Sequence, residues 1–323
     1  MKALTELSQI EISRKKLKFF PWLRVLRLQF YPMAFIAYSL GAAVTTLTPA
    51  KIDFKTFWLG YAFLFFLELS TILSNEIFDY QTDHLNKNFS PFNGGSRVLV
   101  ENQLSFSEIR TGLILTLGLT LLLAYGLLRI TPGGFKLSIL FLLLAGLFLG
   151  LGYTIPPFKF SYRGLGELVV GLTHSFYLIL CGYAFQTGSI SHPLPWLLSL
   201  PLFFSILAAN TLAGIPDYPA DRAVDKKSLP VFLGPKSATR LAAGFVALAA
   251  LLGVLFWYFR ILGEASSAAI LIVIPHALVL LATLSKLINS NNFDRTINSL
   301  MSLSLTFVIW FGLIPLLALI RAH

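Results

Sequence analysis

Long apolar runs set the problem that this chain must solve. About nine of them follow one another, at roughly 28–48, 55–75, 110–130, 137–155, 167–187, 194–215, 238–260, 265–288 and 296–320. Runs of that length with almost no charge read as bilayer-spanning helices, because in hydrocarbon only a helix or a closed barrel pairs every backbone amide. The expected fold is all-α: a polytopic membrane protein with about nine transmembrane helices. Charged residues make up 12% of the 323, against about 25% in soluble domains. The longest stretch between runs is only about 34 residues. No separate soluble domain fits, so residues 1–323 read as one transmembrane domain with cap loops near 76–109 and 216–240. The single cysteine, Cys181, lies inside an apolar run and reads as packing. The basic N-terminus lacks a small-residue cleavage site after the first run, so no cleaved signal is expected.

A net charge of +10 raises the question of a nucleic-acid partner, and its distribution argues against one. With nine spans, the N-terminus and the ends of the even-numbered helices share one side. That side holds 19 of the 25 Lys and Arg, and the other holds 6. Such a bias places the N-terminus in the cytoplasm, in an inner or plasma membrane. The tail segment 13–24, "SRKKLKFFPWLR", mixes basic and aromatic residues. It reads either as an interfacial segment on anionic lipid heads or as a topology signal alone.

The 15 acidic residues are not scattered. "NEIFDYQTD" sets Asn75, Asp79 and Asp83 four apart after the second run, and "DYPADRAVD" sets Asp217, Asp221 and Asp225 four apart after the sixth. Four helical residues turn through about 400°, so each set shares a face with steps of about 40°. Carboxylates so placed repel one another, and a cation relieves the repulsion. Oxygen ligands without His or Cys suit a hard ion, which points to magnesium. Magnesium takes one or two carboxylates together with waters and substrate phosphates, so a diphosphate is the expected missing ligand.

Cations cluster on the same side: Arg97 in "NGGSR", Lys159 and Arg163 in "PPFKFSYRG", and Arg222 and Lys226 within and just after the second acidic motif. They suit diphosphate oxygens and a departing diphosphate. Tyr153, at the end of the fourth run, faces either the cavity or the interface. Glu68 and His174 lie inside the second and fifth runs, where ionisable residues are functional candidates. Glu68 shares a face with Asn75 two turns deeper, and a packing role competes for His174.

Together, "NEIFDYQTD", "GGSR", "YTIPPFKFSYRGLGEL" and "DYPADRAVDKKSL" resemble the intramembrane aromatic prenyltransferases of the UbiA superfamily, over about residues 25–320. The resemblance implies nine helices around a central cavity, and transfer of a polyprenyl group from its diphosphate to an aromatic acceptor. It implies that magnesium and the diphosphate are held by Asn75, Asp79 and Asp83 of the first motif and Asp217 and Asp221 of the second. Lys226 matches a frequent basic position after it. Two departures stand out: Glu76 where relatives often carry Asp, and Asp225 where many carry Gly, which puts its metal role in doubt. Within the superfamily the loops look most like the branch that prenylates 1,4-dihydroxy-2-naphthoate in menaquinone synthesis, with 4-hydroxybenzoate as the alternative acceptor.

Two other readings compete. A CDP-alcohol phosphotransferase also uses membrane-edge aspartates, but in one continuous motif, whereas these sets lie 142 residues apart. A transporter keeps its ionisable groups near the bilayer midplane, whereas these acids end helices.

Overall fold

The structure is a computed structural model that describes residues 19–131, 136–290 and 297–322. Among the described residues there is no strand. The helices are α1 (Phe19–Leu47), α2 (Phe54–Phe78), α3 (Phe106–Ile130), α4 (Leu137–Gly152), α5 (Gly166–Thr187), α6 (Pro193–Ala213), α7 (Pro235–Tyr258), α8 (Gly263–Asn289) and α9 (Ser299–Ala322). Eight of them are long and apolar enough to cross a membrane, and α4, with 16 residues, is shorter. All nine expected runs are helices, with ends moved by a few residues except at α1, which begins at Phe19. Residues 13–18 of the basic–aromatic tail lie outside the described residues, and Phe19 and Phe20 are exposed.

Local chemistry sets the helix starts. Asp53 caps α2 by accepting from the amides of Lys55 and Thr56. Ser105 and Glu108 form a capping box on α3. Pro193 opens α6, where its missing N–H costs nothing.

The helices form a ring. α2 packs on α3 and α4, α5 on α6, α6 on α7, and α9 on α6 and α1, while α1 also lies along α5. The α1–α5 crossing is close because glycines face it from both sides. A Cβ at Gly41 would stand 2.0 Å from the Ile179 carbonyl oxygen, and one at Gly182 2.0 Å from that of Tyr38. Small residues of this kind let membrane helices gain dispersion where burial from lipid gives no hydrophobic gain. Burial sorts inner from outer helices: within their apolar windows α5 and α6 bury 67% and 61% of residues, but α3 only 22%. Leu115, Leu119 and Leu122 of α3 are exposed, as expected of a lipid face.

The segments expected as cap loops contain short helices, Tyr80–Leu85, Tyr218–Ala223 and Leu229–Leu233, and the first two pack together. Six polar-rich residues give too little apolar periodicity to be read as a helix beforehand.

Candidate active site

α2 ends at Phe78, but its hydrogen-bond spacing continues: the Asp79 amide donates to Asn75 O at 2.8 Å and the Asp83 amide to Asp79 O at 2.9 Å. Asn75, Asp79 and Asp83 therefore stay on one side through the bend. Across the ring, the Asp221 amide donates to Asp217 O at 2.8 Å, which aligns the second pair. All five line a polar chamber of about 190 Å³, with Tyr153 and Lys226.

Lys226 ties the two motifs together. Its Nζ lies 3.3 Å from Asp79 Oδ2 and 3.9 Å from Asp221 Oδ1. Asn86 and Asn93 each donate to Asp217 Oδ1 at 2.6 Å, and Ser228 donates to Asp221 Oδ2 at 2.8 Å. Asp79 Oδ1 is buried without a partner. Thr154 donates to Asn75 Oδ1 at 2.8 Å, leaving the amide NH₂ of Asn75 for a ligand.

Burial dominates the electrostatics. It pushes Asp217 and Asp83 up, Asp83 well above the usual carboxylate range with added repulsion from Asp79 and Glu76. Burial also raises Asp221, to about 7, against the opposing pull of Lys226. Lys226 is held well above its ordinary range by Asp79 and Asp221, which outweigh its own burial. Burial raises the Tyr153 phenol as well. The chamber is thus over-supplied with carboxylates for its two cations, Lys226 and Arg27, and the shifts favour the protonated acids.

The other expected residues are not in the chamber wall. Arg97, at φ 68, turns its guanidinium to the carbonyls of Asp83 and Asn86 and stacks 4.1 Å over the Phe89 ring, so it braces the cap loop. Lys159, at φ 45, sits 3.9 Å over the Tyr162 ring. Arg163 donates to the Pro157 carbonyl at 2.8 Å, and Arg222 to the Tyr218 hydroxyl at 2.9 Å. Asp225 is exposed, at φ 54, where the helix has already ended.

In their place the wall holds Glu76, noted above only as a departure from the motif, and residues given no role from sequence: Arg27, Asn93, Glu167, Asn210 and Ser228. Glu76 accepts from the Ser96 amide at 2.8 Å and pins the glycine loop, where a Cβ at Gly95 would meet Asp83 Oδ2 at 2.1 Å. Glu167 accepts from the Leu229 amide at 2.8 Å. One signal was available for Asn210: it lies seven residues before Asp217, two turns along the same face.

Below the polar chamber lies a larger one of about 320 Å³, walled mainly by apolar side chains such as Met33, Leu64, Leu149 and Val308. The two chambers share Arg27, Ile72, Asn75, Phe92, Tyr153, Asn210 and Ala213, so they meet. Arg27 sits at this junction, donating to Phe92 O at 3.2 Å.

A family model described as the UbiA prenyltransferase family matches residues 33–311. The chain belongs to that family and is an integral membrane prenyltransferase. Similar to it are a 2-carboxy-1,4-naphthoquinone phytyltransferase of Synechocystis, 29% identical over 68% of this chain and 68% of that protein, and a lycopene elongase/hydratase of Corynebacterium glutamicum, 28% identical over 71% and 76%. Among solved structures, a UbiA homologue from Archaeoglobus fulgidus bound to GPP and Mg2+ aligns with a TM-score of 0.57 at 18% identity, over 91% of this chain and 99% of that one. This last likeness shows the shared fold.

Proposed function

We propose that this protein transfers a polyprenyl group from its diphosphate to 1,4-dihydroxy-2-naphthoate or a closely similar aromatic acid, with magnesium at the two acidic motifs. The observation that carries this reading is the junction of a carboxylate-lined chamber with an apolar one. A prenyl diphosphate has the same two ends, one anionic and one greasy.

The donor set suits magnesium. It is all oxygen, it includes the unpartnered Asp79 Oδ1, and its carboxylates outnumber the chamber's two cations, Lys226 and Arg27. Among the described residues no group of three His, Cys, Asp or Glu side chains is arranged to hold a metal ion by itself, so diphosphate oxygens and water would have to complete its ligands. Asp79, Asp83, Asp217 and Asp221 are the residues that would hold it. Bound there, magnesium supplies charge that favours departure of the diphosphate.

The chain's own groups do the rest. Lys226 offers a cation between the motifs, and Asn75 offers a neutral donor. The apolar chamber excludes water from the allylic cation formed as the C–O bond breaks. Arg27, at the junction, is the cation best placed for an acceptor carboxylate. The 19-to-6 distribution of Lys and Arg supports a cytoplasmic mouth in an inner or plasma membrane, and residues 1–323 act as one domain in this reading.

The test is to purify the protein and supply a labelled prenyl diphosphate, magnesium and a panel of acceptors: naphthoates, 4-hydroxybenzoate and an acyclic polyene. Turnover with naphthoates is expected. Turnover with 4-hydroxybenzoate alone moves the acceptor, and turnover with the polyene alone discards the aromatic reading.

A further inference from the structure

The deep chamber is walled mainly by apolar side chains, and a carboxyl and an imidazole line it that the polar chamber does not share. Glu68 of α2 and His174 of α5 both line it, with the His174 Nε2 4.0 Å from Glu68 Oε1. His174 is held there by a wide turn of α5 over Thr173–Tyr177, a π-helical segment of the kind found often at functional sites.

Its tautomer follows from its neighbours. His174 Nδ1 is 3.2 Å from Val170 O, which only accepts, and 3.0 Å from Thr173 Oγ1. The Thr173 hydroxyl already donates to the carbonyls of Val169 and Val170. Nδ1 therefore carries a hydrogen, and in the neutral ring Nε2 presents a lone pair to the chamber and to Glu68. A carboxylate and a lone pair both accept, so they need a donor between them, and their 4.0 Å separation leaves room for a single oxygen at about 2.8 Å from each.

His276 shows what a packing histidine looks like in this protein. Its Nδ1 accepts from Trp310 Nε1 at 3.0 Å and its Nε2 reaches Leu303 O at 3.0 Å, so both nitrogens are used. His174 keeps one free, and Glu68 has His174 as its partner across a gap. An ionisable pair at this depth is costly unless a ligand uses it.

We propose that Glu68 and His174 form a clip for a hydroxyl group of the aromatic acceptor, whose one hydrogen is donated to either of them, and take its proton during transfer. The inference rests on the proposed aromatic acceptor. In the step, the donor C–O bond breaks and its electron pair leaves with the diphosphate. A ring π pair forms the new C–C bond. The acceptor O–H pair becomes the C=O π bond, and the proton passes to Glu68 or His174. Loss of the ring substituent at the new bond, as a proton or as carbon dioxide, leaves its bonding pair to restore the aromatic ring, and the proton held by the clip returns to the oxygen to re-form the hydroxyl. Arg27, lining the same chamber, is the cation available to balance the ionised pair.

The experiment uses full-length protein in lipid nanodiscs, with Glu68→Gln and His174→Gln, each of which keeps polarity and approximate size. Three quantities are read: kcat/KM for the hydroxylated acceptor, kcat/KM for its O-methyl ether, and the Kd of the labelled donor with magnesium. The expected loss for the hydroxylated acceptor is about 10²-fold, the lower range for a positioned acid–base group. Donor Kd is expected to stay within about twofold, and the O-methyl ether is expected to react as slowly with wild type as with either variant, since it has no proton for the clip. Unchanged kcat/KM in both variants overturns the proposal. Equal loss of donor binding overturns it too, because it marks a structural role. If wild type uses no aromatic hydroxyl acceptor at all, the proposed function itself has failed, a result separate from normal turnover in the variants.

Discussion

The two acidic segments have the same spacing but different support. Asp79 and Asp83 hang on the end of a membrane-spanning helix; Asp79 has one oxygen on Lys226 and the other buried and free. Asp217 and Asp221 sit on a separate short helix and are held by side chains from elsewhere: Asn86 and Asn93 from the first cap segment, and Ser228. One motif is positioned by a rigid helix and left with spare ligand capacity. The other is positioned by hydrogen bonds, two of them supplied by the cap segment that follows the first. Equal spacing thus conceals a dependence of the second motif on that cap segment.

The largest effect should come from removing charge on either side. On the proposed mechanism, Asp79→Asn and Asp221→Asn each lose about 3–4 kcal/mol of transition-state stabilisation, a fall in turnover of roughly 10²–10³-fold. Membrane-inserted protein with rates near wild type and unchanged magnesium dependence in both variants would show that the motifs are solvated helix ends. A large loss in only one would break their equivalence.

The next effect separates the two kinds of support. Asn93→Ala removes one of two donors to Asp217 while leaving the first motif's own contacts in place. Losing a hydrogen bond to a charged group costs about 1.5–3 kcal/mol, so turnover should fall roughly tenfold or more, with a raised magnesium requirement. If magnesium titration of Asn93→Ala matches wild type, the cross-support is structural only.

A third effect concerns protons. Asp221 is raised to about 7 from 3.8, and Asp83 and Asp217 are raised too. A group raised in the folded state contributes stability that is full below its unfolded value and is lost as pH rises through the folded value, here from about 4 to about 7. Metal-free protein should therefore lose thermal stability as pH climbs across that window. Magnesium competes with the same protons, so its apparent affinity should rise about tenfold between pH 6 and pH 8 if one group near 7 is displaced. Isothermal titration at the two pH values, with Asp221→Asn as control, checks this; equal affinities would remove the proton competition.

What could be read beforehand follows from how strongly each feature is written. Spans were legible because twenty apolar residues have one cheap environment. The pairs Asp79–Asp83 and Asp217–Asp221 were legible because helical spacing survived the bends. Arg27 was not: it looked like one more tail cation, and only the break at its φ of 48, before the 3-10 turn Leu28–Phe30, puts it at the chamber junction. Arg97, Lys159, Arg163 and Arg222 lie outside the chamber wall, because nearness in sequence is not nearness to the chamber. Their guanidinium and ammonium groups turned to local carbonyls, a tyrosine hydroxyl and aromatic rings, and no periodicity encodes that choice.

The smallest expected effect marks where the spacing rule stops. Asp225 is four residues beyond Asp221, but the helix ends at Ala223. The Lys226 amide donates back to Asp221 O at 2.9 Å, which reverses the chain, and Asp225 takes a left-handed conformation with its side chain exposed. That turn has a consequence of its own: it is what delivers Lys226 into the chamber. Asp225→Asn removes an exposed charge and keeps a residue that tolerates the left-handed region, so turnover should stay within about threefold of wild type, as for surface changes near ±0.5 kcal/mol. Asp225→Val keeps the side chain off the metal equally well but strains the turn, and should cost more than Asp225→Asn by displacing Lys226. Turnover measured for both variants decides the point. A hundredfold loss in Asp225→Asn would restore the third carboxylate as a ligand and make the two motifs equal after all.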